Sequence, residues 1–127
     1  MFRRTMLVGL LGFAALGAAV TPVLAKDGDV IQRGACSGAS HWKLKLSPEN
    51  GKIEVEFEVD QNRNNRPWRV VIKQDGEKVF AGTRYTQSPS GSFEVRIVRP
   101  NTAGADRFVG RATNLNSGEV CRGVATF

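Results

Sequence analysis

One histidine, two cysteines and one tyrosine are all that these 127 residues hold of three reactive side-chain types, and each scarcity removes a class of chemistry. With a single imidazole, a Ser-His-Asp or Cys-His constellation has to be built around His41 or not at all. Once the two cysteines are oxidised, a zinc or copper ion would find one imidazole and no thiolate, short of the usual ligand sets. No glycine-rich loop matches a phosphate cradle. No 3.6-residue apolar stripe marks an amphipathic helix, and no internal repeat is present. Long apolar runs are missing too, except near the N-terminus. Residues 6–20 form an apolar stretch of about 15 residues broken by Gly9, Gly12 and Gly17, short of the roughly 20 that a spanning helix needs.

That stretch reads as a signal peptide. Arg3 and Arg4 supply the positive start, and Val23-Leu24-Ala25 supplies small residues for cleavage after position 25. The Arg3-Arg4 pair also resembles a twin-arginine signal, although a charged start alone serves Sec export. Cys36 lies too far beyond the leader, and follows the charged Arg33, for lipidation to be expected. The end of the chain carries no hydrophobic tail, so no anchor is expected there. Export permits Cys36 and Cys121 to pair. The expected organisation is a leader at 1–25, a flexible segment at 26–35 and one domain at 36–127.

Removing Arg3 and Arg4 with the leader takes the formal charge from +6 to +4. That is mildly basic, and the balance is uneven: segment 26–60 holds five basic and seven acidic residues, whereas 61–127 holds eleven and five. Any positive face should therefore come from the second half.

Beyond Cys36 the pattern is period-two alternation almost throughout, which argues for an all-β domain. Trp42, Leu44 and Leu46 alternate with Lys43 and Lys45, while Ile53, Val55, Phe57 and Val59 alternate with Glu54, Glu56 and Glu58. If the turn occupies 47–51, Leu46 pairs with Ile53, and Lys45 and Lys43 face Glu54 and Glu56. Opposite charges across strands favour such a register, so the glutamates read as the solvated face of a hairpin, not as a cation site or a glycosidase acid pair. Further strands are expected at 68–73, 78–85, 92–98, about 108–112 and 121–127, with Asp75-Gly76 as a type I′ hairpin turn. The last two strands turn small residues inward, leaving volume that Trp42 and Trp68 are the candidates to fill. Seven short strands in about 100 residues predict an immunoglobulin-like antiparallel β-sandwich, with a small β-barrel or jelly roll as the alternative.

The segments Cys36-Ser37-Gly38, Trp42-Lys43-Leu44-Lys45, 51–60 and Ser90-Gly91-Ser92-Phe93 resemble small, uncharacterised secreted proteins of actinobacteria. The resemblance implies a secreted β-sandwich with one disulfide, and it brings no activity with it. By size alone the chain is also similar to the subtilisin-inhibitor type and the chromophore-binding antitumour apoproteins. Those families usually carry two cysteine pairs.

His41 has Glu58 opposite it in the register proposed above, which makes it a half-exposed histidine beside a carboxylate. The candidate ligand-binding residues are Arg63, Asn64, Asn65, Arg66, Trp68 and Arg69, which combine guanidinium groups, amides and an aromatic ring. Trp68 also alternates with Val70 and Ile72, and so has a second reading as core. Arg96, Arg99, Arg107, Arg111 and Arg122 could extend a positive surface. Exposed aromatics for base stacking are lacking, Tyr85 excepted. The expectation is a secreted, monomeric, non-enzymatic binding module without cofactor or metal. Its partner is an extracellular protein or an anionic wall polymer, not a specific nucleic acid. The alternative is an inhibitor of an exogenous hydrolase that acts through loop 86–91 or loop 101–106.

Overall fold

A computed structural model describes residues 27–127, so the leader expected at 1–25 lies outside the described residues. Alternation becomes strands because burying every second side chain of an extended chain removes apolar surface from water while the charged neighbours stay solvated. Eight strands form: β1 (Val30–Ala35), β2 (His41–Glu49), β3 (Lys52–Asp60), β4 (Pro67–Gln74), β5 (Glu77–Tyr85), β6 (Ser92–Pro100), β7 (Arg107–Asn114) and β8 (Val120–Thr126). They make two antiparallel four-stranded sheets, ordered β1-β2-β3-β6 and β5-β4-β7-β8. The two sheets share no hydrogen-bonded strand pair, so the barrel alternative is excluded. Among the described residues there is no helix, and therefore none long and apolar enough to cross a membrane.

Strands β2 to β8 are the seven expected, and the chain changes sheet between β3 and β4, β5 and β6, and β6 and β7, the crossing connectivity of an immunoglobulin-like sandwich. The addition is β1. Residues 30–35 fall in the segment expected to be flexible, yet they pair with β2 from Val30 opposite Leu46 to Ala35 opposite His41. Their weak alternation gives little local signal, and their order comes from the neighbours they meet.

The β2–β3 register also differs from expectation. Asn50 (φ 50°) and Gly51 (φ 77°) form a two-residue turn with positive φ at both positions, the hairpin geometry whose twist matches paired strands. Ser47, Pro48 and Glu49 therefore remain in β2. Leu46 faces Val55, Lys45 faces Glu56 and Lys43 faces Glu58. The slip of two residues leaves every side chain on its expected face, which is why the burial pattern alone could not detect it. Lys43 and Glu58 approach to 3.7 Å, and Lys45 reaches Asp29 at 3.8 Å. Glu54, expected to be solvated, is only 8% exposed and pairs with Arg96 of β6. Asp75 (φ 50°) and Gly76 (φ 86°) make the expected turn between β4 and β5.

The core lies between the sheets and is built from Leu44, Leu46, Ile53, Val55, Phe57, Val59, Trp68, Val70, Ile72 and Phe108, all fully buried. The small inward residues are filled as the packing argument requires, though by a different division of labour. Trp42 lies between Gly34 and Gly123: a Cβ on Gly34 would stand 2.7 Å from its ring, and one on Gly123 2.5 Å. Phe57 occupies the space over Gly110, where a Cβ would stand 2.9 Å from its ring. Trp68 instead tilts against Phe93, with centroids 6.3 Å apart.

Where β6 crosses to β7, a buried polar network replaces apolar packing. Asp106 accepts hydrogen bonds from the Thr102 hydroxyl (2.6 Å), the Thr102 N–H (3.1 Å) and Gln74 Nε2 (3.0 Å), and Gln74 Oε1 accepts from Arg99 Nε (3.0 Å). Arg99 thus turns inward and adds nothing to a surface patch. The Thr102 hydroxyl is the main cause of a pKa lowered from 3.8 at Asp106, with the Gln74 amide and the Thr102 N–H adding to it against the opposing effect of burial. A depressed folded-state pKa stabilises the fold fully above the unfolded value near 3.9, and that contribution is lost as pH falls through the folded value. Asp106→Asn is expected to destabilise the domain by about 2 kcal/mol at neutral pH, the scale of a hydrogen bond to a charged group. The gap to wild type should narrow as pH falls through the lowered pKa of Asp106. Urea melts across pH 2–7 check this, and a pH-independent gap would contradict it.

Candidate functional site

The structure separates the residues expected to form one binding patch. Trp68 is fully buried, and its indole N–H donates to Gln61 Oε1 at 3.0 Å. It is core, for the reason its alternation with Val70 and Ile72 suggested. Arg63, Asn64, Asn65 and Arg66 are exposed on the connection between β3 and β4, whereas Arg69 lies on the outer face of β4 opposite Thr83 and Thr113.

The connection itself is held firmly. Thr86, buried, accepts the Arg66 N–H at its hydroxyl (2.8 Å) and donates that hydroxyl to the Arg63 carbonyl (2.6 Å). Gly91 accepts the N–H groups of Gln61 and Asn62. A side chain at Gly91 would collide with the backbone of Asn62 and Arg63, and its φ of 70° is itself one that favours glycine. Loops 61–66 and 86–91 are therefore one interlocked unit.

The outer face of the β5-β4-β7-β8 sheet carries more charge than that loop. Side-chain alternation places Arg69, Val71 and Lys73 of β4 outward, with Lys78, Ala81, Thr83 and Tyr85 of β5. Arg107, Val109, Arg111 and Thr113 of β7 join them, with Val120, Arg122, Val124 and Thr126 of β8. Six of these side chains are cationic and none is acidic. All six are exposed, and none takes part in the three ion pairs found among the described residues. Lys73 stands directly opposite Lys78, and Arg111 directly opposite Arg122. A shallow depression of about 590 Å³ runs over Val71 and Val109, edged by Lys73, Lys78, Arg107, Arg111 and Arg122.

The other outer face is mixed in charge. Arg33, Lys43, Lys45 and Arg96 are interspersed with Glu54, Glu56, Glu58, Asp60 and Glu94. Arg96, expected in a positive surface, belongs here and is neutralised by Glu54. His41 is exposed and faces Asp60, not Glu58, because of the register slip. Among the described residues no group of three or more His, Cys, Asp and Glu is placed to hold a metal ion.

Sequence reasoning reached Arg107, Arg111 and Arg122 but missed Lys73 and Lys78 as their companions. The usable signal was the parity of positions 69, 71 and 73 and of 107, 109 and 111. What parity cannot supply is that β4 lies beside β7. No family model matches this chain, and no curated protein matches it in sequence.

Cys36 and Cys121 form the disulfide, with Cα atoms 4.3 Å apart. It joins the end of β1 in one sheet to β8 in the other. Glu119 reinforces the clasp by accepting the N–H groups of Gly38 and Ser40 and the Ser40 hydroxyl, at 2.9–3.0 Å.

Proposed function

We propose that this chain is an exported, non-enzymatic binding module of the immunoglobulin-like sandwich class, placed in the extracellular or cell-wall space, where its positive sheet face holds an anionic polymer. The observation that carries the reading is the composition of that face: six exposed cations on four adjacent strands with no carboxylate among them. Like charges directly opposite each other on paired strands are destabilising by up to about 1 kcal/mol per pair. Two such pairs lower stability without a structural gain, which is intelligible if an anion completes them. The resemblance of the chain's segments to small secreted actinobacterial sandwich proteins agrees with this setting, and a buried disulfide is compatible with it.

Changing Lys73, Arg111 and Arg122 together to Ser is expected to abolish retention on cell-wall material at about 0.15 M salt, where charges within roughly 8 Å still act together. The unfolding midpoint should stay level or rise, because repulsion is relieved. Changing Arg63 and Arg66 to Ser should lower retention far less. Undiminished retention of the triple variant would refute the reading.

A second reading, inhibition of an exogenous hydrolase, draws support from one feature. Ser88, Pro89 and Ser90 are exposed at the tip of a loop whose base, from Thr86 to Gly91, is fixed by hydrogen bonds. Such an inhibitor would be cut slowly at one bond in that tip.

A further inference from the structure

Charge alone does not distinguish a carboxylate polymer from a phosphate polymer, but the layout of the cations does. Arg111 and Arg122 are direct partners on β7 and β8, so their Cα atoms stand about 4.5–5.5 Å apart and both guanidinium groups leave the same face. Two planar forks at that spacing can converge on one phosphate group of a chain, whose two non-bridging oxygens diverge from a tetrahedral centre and hold lone pairs that are not confined to one plane. A carboxylate keeps the lone pairs of its two oxygens in a single plane, so two forks rising from one sheet face meet it with poorer geometry. Lys73 and Lys78 form the second pair across β4 and β5. From strand spacings near 4.8 Å and a rise near 3.3 Å per residue, its centre lies roughly 12 Å from the arginine pair. Val71 stands opposite Arg111 and Val109 opposite Lys73, so the floor between the two pairs offers no competing hydrogen bond.

Resting on the reading of this face as an anion site, we propose that it binds a linear phosphate-bearing polymer without bases, with Arg111 and Arg122 clamping one phosphate group and Lys73 and Lys78 attracting another further along the chain. Tyr85 is the sole aromatic residue at the outward positions of the four strands, so successive bases would find no platform to stack on. Val71, Val109, Val120 and Val124 are half-buried in the pleats and do not project, unlike the large apolar side chains that enter a lipid interface.

The test measures binding of the full-length chain to four probes at one ionic strength: inorganic polyphosphate, poly-L-glutamate of equal charge, a single-stranded oligonucleotide, and vesicles containing phosphatidylserine. Wild type is expected to bind polyphosphate about tenfold or more tightly than polyglutamate. Arg111→Lys with Arg122→Lys, which keeps the charge and removes the forks, should weaken polyphosphate about tenfold and leave polyglutamate unchanged. Equal affinity of wild type for the two polymers, or indifference of polyphosphate to the double lysine variant, would overturn the clamp while leaving an anion-binding face. Binding of neither polymer would overturn both. Tighter binding of the oligonucleotide or the vesicles would overturn the choice of polymer. Thermal melts of each variant, expected to match wild type, separate loss of binding from loss of fold.

Discussion

Replacing Cys36 and Cys121 together by Ala is expected to lower stability by roughly 4.5 kcal/mol, the chain entropy that closing a loop of this size removes from the unfolded state. The two residues are separated by 85 positions, so the bond restrains nearly the whole domain when unfolded. Total stabilities run to about 5–15 kcal/mol, which makes this a large share of what holds the sandwich together. At about 4–8 °C per kcal/mol for a domain of this size, the melting temperature should fall by about 20–35 °C. Differential scanning calorimetry of the oxidised, reduced and doubly substituted proteins measures it. Equal midpoints for oxidised and reduced protein would show that the clasp around Glu119 holds this edge without the bond.

Trp68→Ala should cost about 3–5 kcal/mol, the range for removing a large aromatic side chain from a core. The ring is fully buried between the sheets, touches Phe93 and holds Gln61 through its N–H. Its removal therefore opens a cavity and leaves the Gln61 carbonyl oxygen without this donor. Urea unfolding gives the stability loss. Retention on cell-wall material, measured well below the transition, should remain near wild type, because the ring points into the core, away from the outer face on which Arg69 and Lys73 stand. A variant of unaltered stability that no longer binds would return Trp68 to the candidate binding patch from which its burial removes it.

The two expected results mark different kinds of legibility. Trp68 was ambiguous in sequence because arginines and asparagines precede it while Val70 and Ile72 follow at alternate positions. Period-two parity decided correctly for the core, since a strand cannot turn one residue inward and its second neighbour outward without a bulge. Glu54 defeated the same reasoning. Its parity correctly places it on the outer face, but its burial depends on Arg96, which arrives from β6 some forty residues later. The register of β2 and β3 was misread for a local reason: the strongly turn-like Ser-Pro-Glu run masked Asn50-Gly51, whose two positive-φ positions suffice to reverse the chain.

The alternation of charged and apolar side chains by itself determined that this protein is all-β and which residues face its core. These are consequences of a two-residue period and of burial, both written locally along the chain. That its strands form two separate sheets and not a barrel was left to the tertiary structure. Tertiary structure alone decided that β4 lies beside β7, and so that Lys73, Lys78, Arg107, Arg111 and Arg122 share one face whose outward strand positions carry no acid. It also decided that 30–35 becomes a strand where the sequence pattern predicts a flexible segment, because its order depends on β2 and on Trp42 over Gly34. The physical reason is the same in both cases. Strand pairing joins residues distant in sequence, and the energy that selects the partners lies in contacts that no single segment contains.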